Sequence, residues 1–311
     1  GPQFAGPIIW HFSSDRAMKA LFVSPRTYPQ IDRMWRQILF AAAFSVLALL
    51  TLMILVLLFG TLSFLRHHGV ISTLLGRAWD PGRGQLQIGL FVVESAVVAG
   101  LAMLVAVPFG LGVAIFGTQV AVGFERHGLR WTLTIASAVP SVAYGWWGLA
   151  VVVPGLRGLG GGSGYSLLAA GLVLALMILP TFSVLAMEAL SQVPEDWHQA
   201  SLALGANDDQ NLVRLVLPAS LPGLRLAFLT ALARAVGETM AVQMVIGGTA
   251  ARFHGLFGPG ATLTTQILTD MAILPNGSPD HGVLDLMAMV LFVGVTAMTG
   301  WVGYGQGRAE K

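Results

Sequence analysis

The chain has 311 residues, 55% of them hydrophobic and only 10% charged, and its mean hydropathy is +0.74. An ordinary soluble domain carries roughly 25% charged residues, so this composition excludes a water-facing globule and points to a membrane. Seventeen Lys and Arg against fifteen Asp and Glu is too even for a nucleic-acid-binding surface, and the lack of cysteine excludes disulfides, thiolate catalysis and Cys-ligated zinc or iron–sulfur clusters.

A bilayer core needs about 20 mostly apolar residues per helix. Measured this way, the chain predicts an all-α polytopic membrane protein with six transmembrane helices. An N-terminal tail, 1–37, precedes the first helix, 38–65, which holds no charge. The second runs from Leu86 to Gly117, interrupted only by Glu94, and should tilt or kink at Pro108. The third covers Trp131–Val153 with Pro140 inside it, and the fourth covers Tyr165–Met187 with Pro180. The fifth covers Leu224–Ile246 and holds Arg234 and Glu238, and the sixth runs from Val283 to Tyr304. A tail, 305–311, follows.

Lys and Arg in the loops set the orientation. Arg16, Lys19, Arg26, Arg33, Arg36, Arg126, Arg130, Arg214, Arg225, Arg308 and Lys311 fall on one side, and Arg66, Arg77, Arg83, Arg157 and Arg252 on the other. Both termini and the loops after spans two and four are therefore expected to be cytoplasmic.

The loop 188–223 is the long cytoplasmic connection. Pro194 should begin a helix in it and Gly205 end that helix in the left-handed conformation. Trp197, Ala200, Ser201 and Leu204 then share one face. Asn207 and Gln210 stand at capping-box spacing before a second short helix, which Leu217-Pro218 is expected to close. The glycine-rich stretch Gly158–Gly164 reads as a turn, because no Lys-Ser/Thr follows to hold a phosphate. His67 and His68 lack a third ligand, so no metal site is expected.

The run Gln199-Ala200-Ser201-Leu202-Ala203-Leu204-Gly205, nine residues, then Leu215-Val216-Leu217-Pro218 resembles the EAA loop of bacterial ABC-importer permeases, E-A-A-x3-G-x9-I-x-L-P. Gln199, Ser201 and Leu215 depart mildly from that pattern. Three further segments are similar to phosphate-importer (Pst) permeases of the C type (PstC-like). These are Val107-Pro108-Phe109-Gly110-Leu111-Gly112, Val139-Pro140-Ser141-Val142-Ala143-Tyr144-Gly145, and Arg234-Ala235-Val236-Gly237-Glu238-Thr239-Met240-Ala241-Val242. Thr262-Leu263-Thr264-Thr265 resembles the last external loop of that subunit.

The resemblance implies a type I ABC-importer permease-like bundle, with a permease core over 86–304. It also implies a coupling surface formed by Trp197, Gln199, Ala200, Ser201, Leu204, Gly205, Leu217 and Pro218. The partners it implies are a second permease subunit (PstA-like), an ATPase dimer (PstB-like) and an extracytoplasmic phosphate-binding protein (PstS-like), in the bacterial inner membrane and in contact with lipid. No cofactor, catalytic residue or nucleic acid is implied.

Arg234 and Glu238 stand four apart in one span. Charges at that depth must be paired, hydrated or functional, and this spacing allows them to pair directly. The resemblance puts both on the translocation path or at a subunit contact. Thr239, Ser141 and Tyr144 are candidate donors along that path, with helix bridging as the alternative. A permease for another oxyanion (molybdate, tungstate, sulfate) and a secondary transporter are the competing readings.

Overall fold

The computed structural model describes residues 29–160, 162–249, 253–274 and 279–306. The basic residues up to Arg26, together with Arg252, Arg308 and Lys311, lie outside the described residues. The chain divides into two compact units, Gly1–Leu55 and Val56–Lys311. The described part of the first belongs to helix α1 (Pro29–His67), which between its charged ends is apolar on every face, as suits a helix in hydrocarbon.

The second unit begins in the last turns of α1. A short helix α2 (Val70–Leu75) and a two-stranded hairpin, β1 (Trp79–Asp80) with β2 (Gln85–Leu86), follow. Helix α3 (Gly89–Ile115) runs through Pro108 without interruption and ends in a π turn, Phe116–Val120. Helix α7 (Leu167–Ser191) packs along α3, and two-thirds of its most apolar stretch is buried. Small residues permit this approach: a side chain at Gly110 would strike Phe182, and one at Gly171 would strike Leu101.

Among the described residues, five helices are long and apolar enough to cross a membrane, and two more, joined at a bend of 90°, are together long and apolar enough to form a sixth, broken span. That bend corrects the expectation of a single helix over Trp131–Val153. Helix α4 (Phe124–Ala138) stops, Val139 and Pro140 are extended, and α5 (Ser141–Trp147) departs at the new angle. Pro140 permits the bend: a residue before proline is biased from helical toward extended backbone, as Val139 is at ψ 130°, although Pro108 and Pro180 stay inside continuous helices. A π turn, Gly148–Val152, then leads into α6 (Val153–Gly158).

The fifth span is also broken. After α8 (Glu195–Ala203) and α9 (Asp208–Asn211), the chain passes through a π turn, Leu212–Val216, into α10 (Leu217–Gly237). Leu217-Pro218 therefore does not close the second loop helix. The Leu217 amide reaches back to the Leu212 carbonyl, and Pro218 enters in the first turn of α10, where its missing N–H is not needed. Helix α10 ends at Gly237, Glu238 is extended at ψ 129°, and α11 (Met240–Ile246) begins two residues later.

The outgoing halves of both broken spans pack together. Gly145 on α5 lies so close to α11 that an added Cβ would sit 2.9 Å from the Ala241 Cα. Gly145→Val should therefore separate the two half-helices and sharply reduce the folded yield. Thermal unfolding of the purified chain in detergent should show this, whereas the same change at Gly100, whose Cβ position is open, should not. Helix α12 (Leu263–Asp270) and the last helix, α13 (Gly282–Gln306), complete the unit.

Candidate translocation site at the break in the fifth span

The five expected path residues lie in or beside the two breaks. Arg234, in the last turn of α10, is half-buried and donates from Nη1 to the Thr181 hydroxyl of α7 at 3.0 Å. Its charge also reaches the Tyr144 phenol on α5. Tyr144 donates to the Ala136 carbonyl at 2.8 Å, tying α5 back to α4 across the bend. Glu238 lies in the break itself, and its Oε1 accepts from the Ala241 amide at 3.2 Å, so it caps α11 from outside. Thr239 is the residue from which α11 starts. Ser141 opens α5, half-buried.

The direct Arg234–Glu238 pair that the spacing allows is not formed. The ion pairs among the described residues are Arg83–Asp80 and Arg130–Glu188, and neither involves them. The reason is the break: i,i+4 neighbours meet only on a continuous helix, and Glu238 has left the helical register. Arg234 thus has a neutral hydroxyl as its hydrogen-bond partner.

Two of the contacts that shape the site had no signal in sequence spacing. Thr181 is 53 residues from Arg234, and Thr264 of α12 donates to the Glu238 carbonyl at 3.0 Å across 26 residues. Asp285 carries a signal in the sequence, as a charge inside the sixth span. It faces Gly60 of α1 so closely that any side chain there would overlap it. Asp270, at the end of α12, is buried and accepts from Gln266 at 2.5 Å; burial pushes its carboxyl above the usual range, and bonds from Gln266 and Trp79 oppose that.

The loop 188–223 presents a second candidate surface. Gly205 adopts φ +89° and stops α8, and the Asn207–Gln210 capping box starts α9. His198 and Asn211 join the two helices at 2.6 Å. Trp197 is 53% and Leu204 90% exposed, so the apolar knob is free of its own bundle. Gln199 and Ala200 are exposed, Ser201 and Leu217 half-buried, and Pro218 exposed. Nearby, a cavity of about 360 Å³ is lined by Arg126, Arg130 and Glu188. Its arginines are engaged: Arg126 donates to the Thr118 carbonyl at a helix end, and Arg130 pairs with Glu188 at 3.5 Å.

Residues 106–306 match the family described as binding-protein-dependent transport system inner membrane component. The probable ABC transporter permease protein YqgH of Bacillus subtilis is 34% identical over 278 residues, covering 87% of this chain and 90% of that protein. The phosphate transport system permease protein PstC of Haemophilus influenzae is 29% identical over 288 residues, 86% of this chain and 90% of that protein. Among solved structures, the bacterial alginate ABC transporter aligns with a TM-score of 0.63 at 14% identity, over 92% of this chain and 99% of that one. The MetNI methionine ABC transporter aligns at 0.55 and 22% identity, over 70% of this chain and 96% of that one. These structural likenesses concern the fold. With the apolar helices, the matched length and the fold in agreement, the chain belongs to the binding-protein-dependent transport system inner membrane component family, as a multi-pass permease subunit of an ABC-type importer.

Proposed function

We propose that this chain forms half of an ATP-driven path for inorganic phosphate across the inner membrane, with both termini on the cytoplasmic side. The observation that carries the reading is Arg234, held at the break of the fifth span by Thr181 with no carboxylate in ion-pair reach among the described residues. A guanidinium presents a planar fork that bonds two oxygens of a phosphate at once, and a neutral partner leaves that fork available. Glu238, one turn away along the chain, weakens the grip on a bound anion without quenching the arginine. Ser141, Tyr144 and Thr239 line the same approach as hydroxyls. Similarity to PstC proteins, which are named phosphate transport system permeases, supports the choice of phosphate.

The chain has two lysines, neither in a Gly-x4-Gly-Lys-Ser/Thr run, so the Walker type of ATP site falls to a separate ATPase dimer (PstB-like). The knob around Gly205 is the docking element for that dimer. A second permease (PstA-like) encloses the other side of the path, and a phosphate-binding protein (PstS-like) delivers the anion from outside. In the reconstituted complex, excess unlabelled phosphate should suppress uptake of labelled phosphate, and equal excesses of sulfate, molybdate or tungstate should not. Displacement by one of those three would move the substrate to that oxyanion.

A further inference from the structure

Glu94 is fully buried, in the second turn of α3, and its surroundings show what it does. Its Oε2 accepts the Ala261 amide at 2.7 Å, 167 residues along the chain. Its Oε1 has no hydrogen-bond partner among the described residues. The next residue, Ser95, accepts the Leu263 amide at 2.9 Å. Gly260 lies so close above the carboxylate that a Cβ there would meet it at 2.6 Å. The entrance to α12 is therefore fixed to α3 by consecutive side chains, and the Thr262–Thr265 capping box holds the helix start that follows. Thr264, on that start, donates to the Glu238 carbonyl inside the break of the fifth span.

We infer that Glu94 is a positioning residue for the translocation site. It anchors segment 260–264 through Ala261, and Thr264 then holds the peptide of Glu238 in the extended conformation that separates α10 from α11. The inference rests on the phosphate-path reading of that break. A carboxyl group that is fully buried with one oxygen unpartnered is costly, and a single amide bond offsets only part of this, so packing alone gives no reason for it. A fixed acceptor aimed at one backbone amide does give a reason. The amide oxygen of glutamine meets the same requirement.

The test is phosphate uptake over a concentration range in proteoliposomes holding the complete importer, together with complex yield and basal ATPase activity. Thr264→Val should raise KM about fivefold to tenfold with yield and basal ATPase unchanged. Glu94→Ala should do the same, and the double variant should be no worse than the more affected single one, because both act through one chain of contacts. Glu94→Gln should stay within about threefold of the parent. Additive effects, a normal Glu94→Ala, or a Glu94→Gln as impaired as Glu94→Ala would each overturn the inference. If Glu94→Ala does not assemble, a normal KM in Thr264→Val overturns it alone. Arg234→Ala, run in parallel, separates the two levels: normal uptake in that variant removes the path reading itself, whereas its loss beside a normal Thr264→Val removes only the role of Glu94.

Discussion

Arg234→Ala should lower phosphate uptake by about 100-fold or more while the complex assembles in normal amount. A bidentate, charge-assisted contact to an anion is worth roughly 3 kcal/mol, and each 1.4 kcal/mol is tenfold. Assembly should survive because the side chain makes one hydrogen bond to the protein, to Thr181, and no ion pair among the described residues. Arg234→Lys keeps the charge and loses the fork, and uptake should fall about tenfold. Initial uptake rates at saturating ATP, normalised to complex yield, give both values. Full uptake in the lysine variant would mean that charge alone serves. Full uptake in the alanine variant would leave the residue a structural part of the α10–α7 contact.

Gly205→Pro should abolish co-purification with the ATPase. The native residue adopts φ +89°, and its amide donates to the Leu202 carbonyl at 2.9 Å. Proline fixes φ near −65° and has no N–H, so the turn that aims α8 is lost. The exposed Trp197 and Leu204 would then no longer form one face. Gly205→Ala, which pays about 1–2 kcal/mol for the left-handed backbone, should weaken the association roughly tenfold without abolishing it. Pull-down of the ATPase with the tagged permease measures both. Unchanged capture by the proline variant would show that this knob is not the docking element.

The two sites differ in how readable they were. Around Gly205 every device is local. The left-handed glycine, the capping box three residues apart and the proline N-cap each depend on a few neighbours, and the structure reproduces them. The apolar spans were equally plain, since hydropathy depends on composition and not on partners. The breaks were not. Pro140 lay in view, but a proline within an apolar run is compatible with a kinked helix as well as with a 90° turn, and the packing of α5 on α11 selects the turn. The break at Glu238 has no proline. It is held by Thr264 from a distant segment and by the glutamate capping its own downstream helix, neither of which spacing reveals. That is why the spacing allows an i,i+4 ion pair where the chain makes two separate uses of its charges. Glu94 shows the same limit: its presence in a span was evident, but its partner, Ala261, belongs to a loop whose path only the fold supplies.

ATP-dependent phosphate accumulation by proteoliposomes bearing this chain, a second permease, the ATPase dimer and the phosphate-binding protein tests the reading most directly. Labelled phosphate should accumulate against its gradient with ATP supplied to the ATPase side, and stop when the ATPase is omitted or made unable to hydrolyse. Accumulation that persists without the ATPase and follows an ion gradient would contradict the account and make the chain a secondary transporter.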